Sequence, residues 1–142
     1  MSNDEGIGSL KLIQIAAPDF DLEKTLNSGQ VFHWENYGNG FVGTIAGSAV
    51  YAEQREDILK VRFGETPKPA RETRALPKVV ARYFALDHPL EEICASFPRD
   101  PMMDAARDFC RGLRIVRQPQ WECLATFICS SMKQVAHIRQ IS

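Results

Sequence analysis

The chain has 142 residues, a mass of 16.0 kDa and 44% hydrophobic residues, which is enough to build the core of one compact, soluble domain. It contains no apolar run long enough to span a bilayer, and its first residues, MSNDEGIGSL, lack the basic start and the apolar stretch of a signal peptide, so we expect a cytosolic protein. The net charge is −1, but residues 1–98 carry −4 and residues 99–142 carry +3, so the second part could face either an anion such as a phosphate backbone or plain solvent.

Five short segments up to Phe63 have the composition and turn punctuation of β-strands. They are LKLIQI from Leu10, VFHWEN from Val31, GFVGTIAG from Gly40, AVYAE from Ala49 and DILKVRF from Asp57. In the last segment Leu59, Val61 and Phe63 share one face, as expected of a half-buried antiparallel strand. The sequence NYGNG tolerates positive φ and predicts a hairpin that pairs residues 31–35 with residues 41–46. Between the first two strands, DFDLEKTLN predicts one short helix.

The segment GETPKPARETRAL, residues 64–76, reads as a linker or a surface loop, and the pattern beyond it is helical. The predicted helices are PKVVARYFAL, PLEEICASF, MDAARDFCRG with Gly112 as its cap, QPQWECLATFICSS, and SMKQVAHIRQIS with a capping box of Ser131 and Gln134. The fourth carries one apolar stripe that predicts inward packing: Trp121, Leu124, Phe127 and Ile128. We therefore expect an α+β chain, with a sheet part in residues 1–76 and a helical part in residues 77–142.

The cysteines give no sign of a metal site or a disulfide framework. Cys94, Cys110, Cys123 and Cys129 form no Cys-x-x-Cys pair and have no histidine at zinc-ligand spacing. Because each lies in a helical, apolar context, we expect buried free thiols. No metal and no cofactor is expected.

Three pieces of the chain, in order, carry a resemblance to a known family. They are LNSGQVFHW followed by the hairpin, YFALDHPLEEI, and RGLRIVRQPQWECLATFICSSMKQVAHI. Together they resemble the N-terminal half of the 8-oxoguanine DNA glycosylase family. This resemblance implies an antiparallel sheet like that of the TATA-binding protein, followed by the opening helices of an all-helical, helix-hairpin-helix glycosylase domain. It also implies base-excision repair, in which damaged double-stranded DNA is the partner and the lesion is flipped out of the duplex.

The resemblance implies a role for the turn at Gly29. Oxidation at C8 of guanine puts a hydrogen on N7, and the family accepts that hydrogen with the backbone carbonyl of the glycine in its Ser-Gly-Gln turn. By this likeness Ser28, Gly29, Gln30 and Phe32 belong to the base pocket, because a missing side chain lets the base approach the main chain. Taken alone, Gly29 favours an ordinary turn before a strand.

The resemblance also implies a DNA wedge after the two serines. The family has an asparagine-rich segment there and an arginine on the next helix, which together hold the orphaned cytosine. This chain has Met132, Lys133 and Gln134 at the asparagine positions and His137 at the arginine position, which puts strict selection for cytosine in doubt. Arg114, Arg117 and Arg139 are the expected contacts to the DNA backbone.

No catalytic residue is expected among these 142 residues. The family uses a lysine in a helix-hairpin-helix element and an aspartate further on, and after Gly64 this chain has only one glycine, Gly112, so it holds no glycine-rich hairpin. Alone it is expected to be inactive and to require a C-terminal helical half. Three interpretations stay open: the N-terminal part of a glycosylase and lyase, nucleoid-associated or nuclear; a non-catalytic binding module for nucleic acid or protein; and a relative of the alkylated-base glycosylases, which the Ser-Gly-Gln turn disfavours.

Overall fold

The computed structural model describes residues 11–64 and 75–130. Its strands come first and most of its helices follow. In chain order the elements are β1 (Lys11–Ala16), α1 (Leu22–Leu26), β2 (Glu35–Tyr37), β3 (Gly40–Ile45), β4 (Ser48–Arg55), β5 (Ile58–Phe63), α2 (Leu76–Tyr83), α3 (Leu90–Ala95), α4 (Pro101–Phe109) and α5 (Gln120–Ser130). The predicted α+β class with an antiparallel sheet is confirmed.

The five strands form one antiparallel sheet in the order β1-β5-β4-β3-β2. On β5, Leu59, Val61 and Phe63 are buried, whereas Arg62 is exposed, as the alternation predicts. Val61 is paired with both Ile13 on β1 and Ala52 on β4, so the apolar face of the sheet is continuous across the neighbouring strands β1, β5 and β4. This face carries the core.

The predicted hairpin is correct in its turn but wrong in where its first strand begins. β2 starts at Glu35, which pairs with Val42, and Tyr37 pairs with Gly40 across a turn in which Gly38 has φ +57°. Residues 31–34 are not part of the ladder, because both Val31 and Trp34 are buried and a spacing of three is incompatible with strand alternation.

Helix α1 is shorter than predicted. Asp19 has φ +55°, a left-handed conformation that a helix cannot contain, so the helix starts only at Leu22. Asp21 caps it, since its carboxylate accepts a hydrogen bond from the Lys24 backbone N–H at 2.8 Å.

Helix α2 packs on the sheet and completes the core. Its Pro77 lies in the first turn as predicted, and Val80, Tyr83 and the following Phe84 are buried. The Phe84 ring lies 5.4 Å from that of Phe20, centroid to centroid. The division after residue 76 stays a prediction, but the first helix beyond it shares the core of the sheet.

The remaining helices leave apolar side chains exposed, which contradicts two predictions. The stripe on α5 does not pack inward: Trp121 is 72% exposed, Leu124 49%, Phe127 71% and Ile128 57%. Periodicity identifies the apolar face of a helix but not what covers it. The prediction of buried thiols is also wrong for three of the four cysteines, since Cys94 is half-buried and Cys110 and Cys123 are exposed, all three as free thiols. The Cys129 side chain lies outside the described residues, and its burial stays a prediction.

Candidate functional site

The Ser-Gly-Gln turn, residues 28–30, directly follows α1 and is exposed at its tip. Gly29 has φ +86°, a region that residues with a side chain rarely adopt. A Cβ added there would meet no described atom within 4 Å, so the backbone angle and not crowding requires glycine. The main chain at Gly29 is therefore open to an approaching group.

The Gln30 side chain ties this turn to a segment more than eighty residues further along the chain. Its Nε2 donates to the backbone carbonyl of Arg114 at 2.7 Å, and its Oε1 accepts from the backbone N–H of Val116 at 2.8 Å. The same nitrogen lies 3.0 Å from Ser28 Oγ and 3.2 Å from the Thr25 carbonyl. Both ends of the amide are thus engaged by the protein itself.

Residues 112–117, which we call the bridging segment, run between α1 and α2. On the α1 side, the Gly112 carbonyl accepts from the Asp21 N–H at 2.9 Å, and the Arg114 N–H donates to Thr25 Oγ1 at 3.2 Å. On the α2 side, the Arg117 N–H donates to the Tyr83 carbonyl at 2.8 Å. Gly112 was predicted as a helix cap, but α4 ends at Phe109.

Glycine is needed at position 112 both for its backbone angle and for lack of space. It has φ +83°, and a Cβ there would lie only 2.8 Å from the Cβ of Asp21. The close approach of the bridging segment to the start of α1 therefore depends on a residue without a side chain.

Arg114 is buried, which contradicts the prediction that it contacts a DNA backbone. Its residue surface is only 6% exposed, and its Nη1 donates to the carbonyls of Ala85 at 3.0 Å and His88 at 2.8 Å. Its Nε is buried and has no hydrogen-bond partner among the described residues. Burial lowers the pKa of the guanidinium, and Asp19 and Asp87 oppose that shift. The buried Arg114 side chain thus joins the bridging segment to the turn that follows α2.

Arg117 is partly exposed and already has an acidic partner. Its Nη1 donates to both carboxylate oxygens of Asp87, at 2.8 and 3.0 Å. This hydrogen bond is the main reason why the pKa of Asp87 is lowered. A phosphate would have to compete with that carboxylate for the same guanidinium.

Behind the turn, the aromatic stretch leads to a buried hydroxyl that sequence reasoning missed. Trp34 Nε1 donates to Tyr83 Oη at 2.9 Å, and His33 Nε2 lies 3.3 Å from the same oxygen. Burial raises the pKa of Tyr83 to about 12; the Trp34 hydrogen bond opposes this and Glu122 adds to it. Phe32 is half-buried next to this cluster in sequence. Sequence reasoning could have assigned Tyr83 to this site only by pairing it with Trp34, which lies 49 residues away, and no local pattern indicates such a pairing.

The wedge residues Met132, Lys133, Gln134 and His137, together with Arg139, lie outside the described residues and stay predictions. Within residues 11–64 and 75–130, no group of three histidine, cysteine or acidic side chains could hold a metal ion, and no helix is long and apolar enough to cross a membrane. Two cavities of about 260 and 330 Å³ lie away from the turn, against Arg114 and against Gln54 respectively.

The five-stranded antiparallel sheet with helices packed on it is the fold of the N-terminal part of DNA glycosylases. The model of the family "8-oxoguanine DNA glycosylase, N-terminal domain" matches residues 12–124, so the chain belongs to this family. The match spans both the sheet and the helices up to Leu124.

Known proteins agree with this assignment. The chain is similar to the N-glycosylase/DNA lyase OGG1 of Arabidopsis thaliana, with 27% identity over 135 residues, 91% of this chain and 35% of that protein. The structure is similar to MBOgg1 in complex with a low-affinity DNA ligand, with a TM-score of 0.77 and 26% identity over 90% of this chain and 43% of that one. It also has the fold of the apo 8-oxoguanine glycosylase/lyase of Clostridium acetobutylicum, with a TM-score of 0.76 and 24% identity over 90% and 43% of the two chains. The chain thus spans less than half the length of these relatives.

Proposed function

We propose that the protein carrying this chain excises 8-oxoguanine from damaged DNA in base-excision repair, as a DNA glycosylase and lyase, and that this chain supplies part of the lesion pocket. The observation that carries the proposal is the open main chain at Gly29, held at φ +86° on a turn that matches the family pattern. The relatives named as 8-oxoguanine glycosylases and DNA lyases support it.

In this proposal the Gly29 carbonyl accepts a hydrogen bond that 8-oxoguanine can donate and guanine cannot. A flipped 8-oxoguanine presents N7–H as a donor, whereas N7 of guanine is an acceptor and would face the carbonyl oxygen with an unpaired lone pair. An acceptor left opposite an acceptor in a desolvated site costs about 1–3 kcal/mol, which is enough to reject normal guanine by one to two orders of magnitude.

The amine that attacks C1′ and displaces the base lies outside this chain in the proposal, as does its aspartate. The part of the relatives that this chain does not span is large enough to provide both, since the chain covers 35% of the Arabidopsis protein. The exposed stripe on α5 would pack against that part. Trp121 and Phe127, each more than 70% exposed here, are the side chains with most surface to bury.

DNA contacts beyond the turn are assigned by the same likeness. Met132 would enter the gap left by the flipped base, with Lys133, Gln134 and His137 facing the opposite base. Arg139 and Arg117 would contact the backbone, in the case of Arg117 after release from Asp87. An enzyme of this kind acts where the DNA is, so a nucleoid or nuclear location belongs to the proposal.

The test uses the protein expressed from its full native coding sequence and a duplex with one 8-oxoguanine. We expect strand cleavage at the lesion, and Gly29→Ala should lower excision by at least about tenfold with undamaged-duplex affinity retained, because alanine strains the turn at positive φ. The matched control is Gly47→Ala, which introduces comparable strain at φ +73° in the β3–β4 turn and also meets no described atom within 4 Å.

Equal losses in the Gly29 and Gly47 variants would mean that strain alone impairs the enzyme, and the pocket role of Gly29 would be wrong. A wild-type protein that binds the duplex without cleaving it would instead support the non-catalytic binding module.

A further inference from the structure

The contacts of Gln30 raise a question about how the Ser-Gly-Gln turn is held. Gly29 is exposed and has no side chain that could fasten it, so the position of its carbonyl depends on the residues on either side. The Ser28 hydroxyl makes local hydrogen bonds: its Oγ donates to the Thr25 carbonyl at 2.8 Å and accepts from Gln30 Nε2 at 3.0 Å. Every long-range hydrogen bond that the structure gives to the three turn residues comes from the Gln30 amide.

We propose that Gln30 is a positioning residue for lesion recognition. Its amide fixes the position of the Gly29 carbonyl by fastening the turn to the bridging segment, and it does not itself contact the base. The inference rests on the proposed function of Gly29. It assigns Gln30 to a different role from the base contact that the family resemblance implied.

Geometry favours this role because the protein itself already engages both the oxygen and the nitrogen of the amide. Its oxygen accepts the Val116 N–H, and its two amide hydrogens have three protein oxygens within 3.2 Å, those of Arg114, Ser28 and Thr25. A base acceptor that approached Nε2 would have to displace the bond to Arg114 or to Thr25 and leave a part-buried backbone carbonyl with one partner fewer.

The bridging segment is a rigid anchor for the turn. It is fastened at both ends by backbone hydrogen bonds, to Asp21 and to Tyr83, and the Arg114 side chain adds two bonds to the turn after α2. Thr25, which is fully buried on α1, accepts the Arg114 N–H and so fixes the segment from the other side. The position of the turn relative to the core is therefore set by the bridging segment, through the Gln30 amide.

The chain provides a matched control in Gln54. Its amide performs the same task at the opposite end of α1, where Oε1 accepts the Leu22 N–H at 2.7 Å and Nε2 donates to the carbonyls of Phe20 at 2.6 Å and Glu56 at 2.9 Å. Gln54→Ala removes a similar number of side-chain to backbone bonds without touching the turn.

The experiment measures, in the protein expressed from its full coding sequence, the ratio of affinities for duplexes with 8-oxoguanine and with guanine at the same position. Gln30→Ala should lower this ratio by about tenfold, the scale of one lost hydrogen bond, whereas Gln54→Ala should leave it unchanged. Thr25→Val, at a buried residue that no base can contact, should lower the ratio in the same direction as Gln30→Ala.

Three results would overturn the inference. If Gln30→Ala and Gln54→Ala lower the ratio equally, the effect is general loosening of the fold. If Gln30→Ala lowers it and Thr25→Val does not, Gln30 contacts the base directly. If neither Gln30→Ala nor Thr25→Val changes the ratio of affinities, the Gln30 amide has no part in recognition.

A second measurement separates failure of this inference from failure of the proposed function. Amide hydrogen exchange of Val116 and backbone relaxation of Gly29 report, without any substrate, on whether the Gln30 amide fastens the turn to the bridging segment. A wild-type protein with no preference for 8-oxoguanine would remove the proposed function and with it the recognition role. Unchanged Gly29 mobility in Gln30→Ala would show that the amide does not hold the turn at all.

Discussion

Gly43 lies on β3 next to the indole of Trp34, and no larger residue fits there. A Cβ at this position would collide with the ring atoms of Trp34, although its backbone angle is not one that requires glycine. Crowding thus selects Gly43, whereas the backbone angle selects Gly29. The two glycines look alike in sequence, because nothing local distinguishes a residue that faces a buried ring from one at the tip of a turn.

Gly43→Ala should lower the free energy of unfolding of the chain by about 1–3 kcal/mol, the usual cost of overpacking a core. Urea denaturation followed by tryptophan fluorescence measures it. Gly64→Ala is the control, because its Cβ would meet Ala49 at an ordinary 3.6 Å. A Gly43 variant as stable as wild type would mean that Trp34 can move aside at no cost.

Sequence reasoning recognised the turn at Gly29 but could not find what holds it. The partners of Gln30 are 84 and 86 residues away, and hydrophobic periodicity carries no information on pairing at that distance. Arg114 was misplaced for a related reason. Most arginines are exposed, so a buried guanidinium bonded to two carbonyls of a distant turn has no signature in its neighbours.

At the scale of elements, α2 is the helix that joins the two parts of the chain. Its Val80 and Tyr83 enter the core of the sheet, and the Tyr83 carbonyl anchors the bridging segment. Four of the five strands were predictable from composition and turn residues, and the helix from its proline and its apolar spacing, whereas β2 begins four residues later than predicted. The docking of one on the other was not, because it depends on the Trp34 to Tyr83 hydrogen bond between distant residues.

This docking should make stability depend on pH above 10. The pKa of Tyr83 is raised from 10.0 to about 12, so the folded state favours the neutral phenol. Its contribution is complete below pH 10, the unfolded value, and is lost as the pH rises from 10 towards 12. Urea unfolding at several pH values should show a decline in this window that is smaller in Tyr83→Phe than in wild type.

The Tyr83→Phe variant should also lose about 1–3 kcal/mol at neutral pH, because Trp34 Nε1–H is left without its acceptor in the core. Tyr37→Phe, whose residue is 68% exposed, serves as the control for removal of a hydroxyl. An identical pH dependence in Tyr83→Phe and wild type would remove Tyr83 as the group responsible.

For the whole molecule, the described residues form one core under the sheet and an apolar surface on the last helix. The α5 stripe was predicted as a buried face, and its composition was read correctly. What covers a face lies outside the helix itself, and the chain spans only 35–43% of the relatives with which it was compared. A sequence pattern can be accurate for an element and still predict the wrong environment.

Phe127→Ala separates the two environments. In the 142-residue chain it should change the free energy of unfolding by less than about 0.5 kcal/mol, since the residue is 71% exposed. In the protein expressed from its full coding sequence it should cost about 3–5 kcal/mol if further helices cover the stripe. Phe84→Ala, at a fully buried position, should be costly in both. A small cost for Phe127→Ala in the longer protein would mean that the stripe stays uncovered.

The long reach of the Gln30 amide has a consequence for biosynthesis. A ribosome adds about 5–20 residues per second, so Val116 leaves the peptidyl transferase centre roughly 4–17 seconds after Gln30. The sheet, whose strands are close in sequence, has time to form while the turn still waits for its partner. The Ser-Gly-Gln turn is thus among the last parts of this domain to reach its final position, and a nascent chain interrupted before Val116 would lack the partners that fasten the turn.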